Sequence, residues 1–251
     1  MNKFSIVILK IISAIFIVAV IALVVISSKE YRDKTILNVN VAVKCDENRR
    51  MLNDSTVKLY LQDVIVPIIG TKVKDFSDST LLGKIRKIES VENTVINCDL
   101  NGNMIITITQ KLPIAKIYTG KNKSYKYLTA NADVITSAEY YGTRLFDFYD
   151  SDNILLQSNK DEITKEVSEI VQQMWEDAFL SVITDKIIIT KDKQISLKSF
   201  FGNQEIIIGN ITDLDDKSNN LKLFYEAVED DELAMYKIID LRFNNQIVAT
   251  K

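Results

Sequence analysis

From Ile11 to Ile26 the chain reads IISAIFIVAVIALVVI, sixteen residues with one polar member, Ser13. As a helix this run rises about 24 Å, short of a hydrocarbon layer of about 30 Å. Upstream, Phe4 to Leu9 is mostly apolar and only Lys10 interrupts. A lysine can snorkel its ammonium toward the headgroups, which extends the span back to about Ile6. The run therefore predicts a transmembrane helix over residues 6–28, behind a tail of residues 1–5. The alternative is a cleaved signal peptide, whose apolar core is about 7–15 residues long and ends at small residues in an A-x-A pattern. Here the core is longer, and Val24 to Lys29 (VVISSK) offers no such site. Residues 1–28 are expected to stay on the mature protein. Charge leaves the orientation open: Lys3 and Lys10 precede the span, while Lys29, Arg32 and Lys34 follow it. Long domains translocate largely regardless of such charges.

The remainder is globular in composition, with 47% hydrophobic and 26% charged residues over the 251 of the chain. At roughly 150 residues per domain, two modest domains are favoured over one. There is no histidine. That removes Ser-His-Asp and Cys-His nucleophiles, imidazole metal ligands and the usual general base near neutral pH. Seven glycines and two prolines leave no phosphate-cradling loop of the G-x-G-x-x-G or G-x-x-x-x-G-K type. A net charge of −3 gives no general attraction to nucleic acid.

After a polar linker (residues 29–35), Ile36 to Lys44 alternates as a half-buried strand, with Leu37, Val39, Val41 and Val43 on one face. Asn53-Asp54-Ser55 supplies N-cap candidates for a helix carrying Val57, Leu61, Val64 and Ile65, interrupted by Pro67 and Gly70. A second helix starts at Ser77 or Asp78 and carries Leu81, Leu82, Ile85 and Ile88. Asn101-Gly102 then signals a hairpin with a type I′ turn. Ile96, Cys98 and Leu100 share a face before it; Met104, Ile106 and Ile108 share one after it. The order β-α-α-β-β predicts an α+β domain over 36–112, two helices on one face of a three-stranded sheet.

Beyond Pro113 the reading is a mixed β domain over 113–251. Strands are expected at 114–119, 125–129, 134–137, 145–149, 187–190, 195–197, 206–209, 236–242 and 246–250. Two helices interrupt them, Lys160 to Trp175 and Leu214 to Val228. The last two strands read as a terminal hairpin through Asn244-Asn245.

Few side chains suggest chemistry. Cys45 and Cys98 fall on the core face of the first domain, and are read either as buried thiols or, in an oxidising compartment, as a disulfide. The acidic run Glu226, Glu229, Asp230, Asp231 and Glu232 lacks the ligand spacing of a calcium loop and reads as a solvated helix-to-strand loop. Lys116, Lys121, Lys123 and Lys126, interleaved with Tyr118, Tyr125 and Tyr127, read as a solvated hairpin tip rather than a nucleic-acid or lipid patch. Trp175 reads as core. No nucleophile is paired with a base, so the chain is expected to be non-catalytic, with no cofactor, no metal and no small-molecule substrate.

Three stretches carry a resemblance: IRKIESVENTVINCDLNGNMIITITQKLPIA, KLPIAKIYTGKNKSYKYLTANADVI and FYEAVEDDELAMYKIIDLRFNNQIVATK. Their order and separation resemble the FtsQ/DivIB family of bacterial cell-division proteins. In that family one transmembrane helix is followed by a POTRA domain and a C-terminal β domain. The third stretch is similar to the family's terminal "DLR-aromatic" strand pair. Departures are local: Lys44-Cys45-Asp46 stands where the family has Gly-Asn, Ala132 where it has a turn glycine, and Ser90 where it has proline.

The resemblance implies a single-pass inner-membrane protein of the division septum, with a cytoplasmic N-terminus and its domains in the periplasm. It implies a divisome scaffold that binds FtsB/DivIC-like and FtsL-like bitopic partners and other divisome components. The alternative weighed from the same residues is a POTRA-type chaperone or assembly module for exported proteins. A carboxylate enzyme acting on peptidoglycan is a third reading. The family binds its FtsB/DivIC-type partner along the last strand. That placement puts the site on Phe243, Asn245, Gln246, Ile247 and Val248, with Phe243 as the aromatic after "DLR" and the outward residues among Ile247 and Val248 adding specificity. The family's more distal aromatic has no clear counterpart in this sequence.

Overall fold

The computed structural model describes residues 3–119, 125–136, 142, 144–150, 155, 162–190, 192, 194–202, 204–210, 213–243 and 246–251. The chain divides into two compact units, Met1–Lys44 with Asn53–Thr109 and Cys45–Leu52 with Gln110–Lys251.

The first unit opens with helix α1 (Lys3–Arg32). Its Ile12–Arg32 part is long and apolar enough to cross a membrane, and its apolar side chains are exposed. Residues 29–32, read as the start of a polar linker, continue this helix. No glycine or proline breaks it there, and Lys29 and Arg32 in the last turn complement the negative end of the helix dipole. Strand β1 (Asn38–Lys44) is followed by α2 (Asp54–Tyr60), α3 (Gln62–Ile65), α4 (Ser79–Ile85), β2 (Val91–Cys98) and β3 (Asn103–Gln110). The sheet order is β1-β3-β2, with β1 parallel to β3 from Asn38↔Asn103 to Lys44↔Thr109.

The β-α-α-β-β order is as expected, and so is the α2 cap, where the Asn53 side chain accepts the Ser55 amide. The helix expected from there breaks into α2, α3 and a 3-10 turn at Val66–Ile68 that takes Pro67 near its start, where a missing N–H costs nothing. Val39, Val57, Leu61, Ile65, Leu81, Ile85, Met104, Ile106 and Ile108 are buried together in this unit.

Three local expectations need correction. Leu37 is not in the core but 66% exposed, and Ile36 is fully buried in its stead. The Ile36 amide donates to Thr71 O and the Leu37 amide to Gly102 O, so the regular alternation starts only at Asn38. The hairpin loop is not a two-residue type I′ turn either. The Gly102 amide donates to Asp99 O, the Asp99 amide donates to Asn103 O, and Gly102 alone has a positive φ, +84°. This is a type I turn closed by a left-handed glycine. The Asp99 carboxylate selects it by accepting the Asn101 and Asn103 amides, both at 2.8 Å. Leu100 at its tip is therefore 72% exposed rather than facing inward. Lastly, Cys45 and Cys98 are half-buried thiols rather than core side chains, and no disulfide joins them.

In the second unit, β4 (Pro113–Thr119), β5 (Tyr125–Thr129), β6 (Val134–Ile135) and β7 (Phe146–Asp150) precede α5 (Glu162–Glu176) and α6 (Leu180–Ile183). Then come β8 (Thr184–Ile189), β9 (Ile195–Ser199), β10 (Glu205–Gly209), α7 (Leu214–Ala227), α8 (Asp230–Leu233), β11 (Ile238–Asp240) and β12 (Val248–Thr250). Nine strands form one mixed sheet in the order β12-β11-β10-β9-β8-β7-β4-β5-β6. Alternate residues Phe146/Phe148, Ile187/Ile189, Ile195/Leu197, Ile206/Ile208 and Ile239/Leu241 share one core with Val167, Ile170, Val171 and Met174 of α5, Leu180 and Ile183 of α6, and Leu214 and Leu221 of α7.

Trp175 is half-buried beside this core, its ring 4.3 Å from Phe146 and its Nε1 donating to Ile114 O. Tyr127, read as part of a solvated tip, is buried and packs with Met51 and Ile135. The acidic run is not wholly a loop, since Asp230–Leu233 forms α8. The Lys160 start of the first helix, Ser137, Lys121, Lys123 and the Asn244-Asn245 turn lie outside the described residues.

Candidate partner-binding edge

The terminal strand stands at the end of the nine-strand order, paired antiparallel with β11 through Ile238↔Thr250, Ile239↔Ala249 and Asp240↔Val248. Three contacts position it. First, β11 is held parallel to β10, and the Leu241 amide continues the ladder to Ile207 O. Second, the Asp240 carboxylate accepts the Arg242 amide and, in a two-pronged pair, Arg242 Nε and Nη2. The Arg242 guanidinium thus holds the Asp240 carboxyl below the usual carboxylate range, against the opposing effect of burial. Third, Lys251 pairs with Glu232 at 3.0 Å and lies over the Tyr236 ring, while the Lys237 amide donates to Thr250 O. Lys251 and Tyr236 lower the Glu232 carboxyl, and Glu232 raises the Lys251 ammonium.

Gly209 makes the second contact possible. Its φ is +78°, and a Cβ there would stand 2.7 Å from Arg242 Cγ. On the other flank, Lys217 Nζ ties α7 to the end of β10 by donating to Ile208 O and Asn210 O. Burial lowers the Lys217 ammonium.

Of the expected site residues, Phe243 is 51% and Val248 46% exposed, and Gln246 is exposed. Of Ile247 and Val248, Val248 is the outward member, while Ile247 is half-buried against the core. Phe243, Gln246 and Ile247 come together around a cleft also lined by Leu241 and by Asp213, Asp216, Lys217 and Asn220 of the α7 region. Asn245 lies outside the described residues. Sequence reasoning missed the Asp240–Arg242 pair and the Lys251–Glu232 contact. The first had a signal, since residues two apart in an extended chain share a side; the second, across nineteen positions, had none.

The family described as FtsQ/DivIB, C-terminal related, matches residues 112–250, which is more than half of the chain. The chain belongs to that family. No curated protein matches it. The FtsQ/DivIB-related match spans β4 to β12 and so includes the whole edge described above. Membership of this family makes the chain a cell-division protein, and α1 gives it one apolar N-terminal helix of membrane-crossing length. Among the described residues no group of three or more His, Cys, Asp or Glu side chains is placed to hold a metal ion.

Proposed function

We propose that the protein is a non-catalytic division scaffold whose last strand captures a partner by strand addition. The observation that carries this reading is the position of β12 at the sheet's end, with Phe243 and Val248 exposed beside it. An edge strand leaves one row of backbone donors and acceptors for a neighbour, and exposed side chains at alternate positions select which neighbour. In this reading residues 36–112 are a POTRA-like domain and 113–251 the C-terminal β domain, both in the periplasm, with α1 in the inner membrane at the septum. Partners are FtsB/DivIC-like and FtsL-like bitopic proteins, and the site comprises Phe243, Asn245, Gln246, Ile247 and Val248.

The test is capture of division partners from solubilised membranes by the full chain. Phe243→Ala and Ala249→Pro should each reduce capture, the proline by removing a backbone donor from the open side of β12, since Val248 and Thr250 turn theirs to Asp240 and Ile238. Deletion of residues 246–251 should abolish it while the first unit keeps its unfolding transition. Undiminished capture by the deleted protein overturns the edge as the site, and normal cell length after depletion in the host overturns the division role.

A further inference from the structure

We propose that the first unit rests on the lipid bilayer through a rim made by Leu37, Ile69 and Leu100, which dip into the headgroup layer beside the exit of α1. The three are far apart in sequence and all exposed, at 66%, 46% and 72%. Backbone bonds gather them at one end of the sheet. The Leu37 amide donates to Gly102 O in the Leu100 hairpin, and the Gly70 amide, next to Ile69, donates to Ile36 O. Gly102 lies so close that a Cβ on it would meet Thr35 O at 2.4 Å and Leu37 Cγ at 3.2 Å.

Strand direction puts that end toward the membrane. β1 follows α1 and runs away from it; β3 is parallel to β1, so the turn that opens β3 lies at the α1 end. Distance agrees. From Ile6 to Ile26 the helix spans about 30 Å, one hydrocarbon thickness. Tyr31 is five residues further, about 7–8 Å, comparable with a headgroup layer of about 5–7 Å per side. Helical side chains lean toward the N-terminus, here toward the bilayer, and Tyr31 Oη donates to Cys98 O, the last residue of β2. The turn beyond Cys98, with Leu100 at its tip, is thereby held at headgroup level.

Charge around the rim suits this place. Lys29, Arg32 and Lys34 are exposed, and Lys72 and Lys74 converge on Asp33 at 3.8 and 2.7 Å. Long basic side chains and tyrosine settle at the interface. Glu30 and Asp33 offset part of the positive charge, so apolar contact rather than lipid charge carries the association. An exposed apolar rim in water is a liability, whereas beside a membrane helix it has an occupant.

The test uses the full chain reconstituted in vesicles of phosphatidylcholine, with and without phosphatidylglycerol, in which the acyl chains carry bromine near the headgroup. Leu100→Trp and, separately, Ile69→Trp should add emission that is blue-shifted and quenched severalfold more than that of Lys44→Trp, in both lipids. Lys44 ends β1, about 20 Å along the strand from Asn38, and the parent's single tryptophan provides the baseline. Adding Leu37→Asp should weaken quenching at position 100. Quenching at 69 and 100 no greater than at 44 overturns the proposal, and quenching that requires phosphatidylglycerol overturns its apolar basis.

Discussion

The side-chain oxygen of Gln110 accepts the backbone amide of Met51 at 2.6 Å, across fifty-nine positions of sequence. The same oxygen accepts the Leu52 amide at 2.8 Å, while Nε2 donates to Arg49 O. One 5%-exposed carboxamide thus satisfies three backbone groups of residues 49–52. Nearby, Met51 packs on Tyr127, and Arg49 lies over the Trp175 ring.

Gln110→Ala should cost about 1–3 kcal/mol, the range for leaving buried polar groups unsatisfied. Urea unfolding measures it, and hydrogen exchange should show the Met51 and Leu52 amides losing protection. Gln110→Glu keeps the acceptor, so it should preserve that protection at neutral pH while losing the bond to Arg49 O.

In the first unit, Ile106 is fully buried at the centre of β3. Ile106→Ala should destabilise by about 2–5 kcal/mol through lost transfer energy and a residual cavity. Unchanged denaturant unfolding would show that the Val41↔Ile106 register of the parallel pair is wrong.

Asp240 gives an acid dependence. Its carboxyl is lowered first by the hydrogen bonds from Arg242, with burial opposing. A carboxyl depressed on folding contributes stability that is fully present above its unfolded value of about 3.9 and is lost as pH falls through the folded value. The stability advantage of the parent over Asp240→Asn should therefore hold at neutral pH and shrink below about pH 4. Urea midpoints of both proteins across the acid range check it; the Glu232 contribution is common to both and cancels.

Gly209→Ala should destabilise by about 1–2 kcal/mol from its left-handed backbone alone, and further because the new methyl meets the Arg242 stem. Arg242→Ala removes that clash but not the backbone strain. The double variant should therefore be less destabilised than the sum of the singles, by about 0.5 kcal/mol or more.

Much of this was readable where a side chain's own neighbours decide its place. The alternation of Met104, Ile106 and Ile108, the Asn53 cap and the helical spacing of Val167, Ile170, Val171 and Met174 are all local patterns, and all are buried or bonded as they imply. What escaped was set by distant partners. Leu37 faces out because its amide is taken by Gly102 O, which no period in residues 36–44 encodes. The Asn101-Gly102 signal was right about a hairpin but not its loop, because Asp99 supplies the deciding bonds. Ala132, noted only as a departure from a glycine, does adopt φ +58°, its amide donating to Thr129 O. At the candidate edge, the Asp240-Leu241-Arg242 motif marked the place, but the roles of Gly209 and Lys251 depended on chain segments meeting in space.

The second unit is discontinuous: it takes residues 45–52 from between two elements of the first. During synthesis that octapeptide leaves the ribosome well before its anchor Gln110 and its packing partner Tyr127 exist. Its seating is therefore postponed: β3 itself delivers Gln110, but Met51 stays without its packing partner until Tyr127 follows. A fragment cut to the family's own limits, 112–250, would lack both Met51 and the glutamine that holds it.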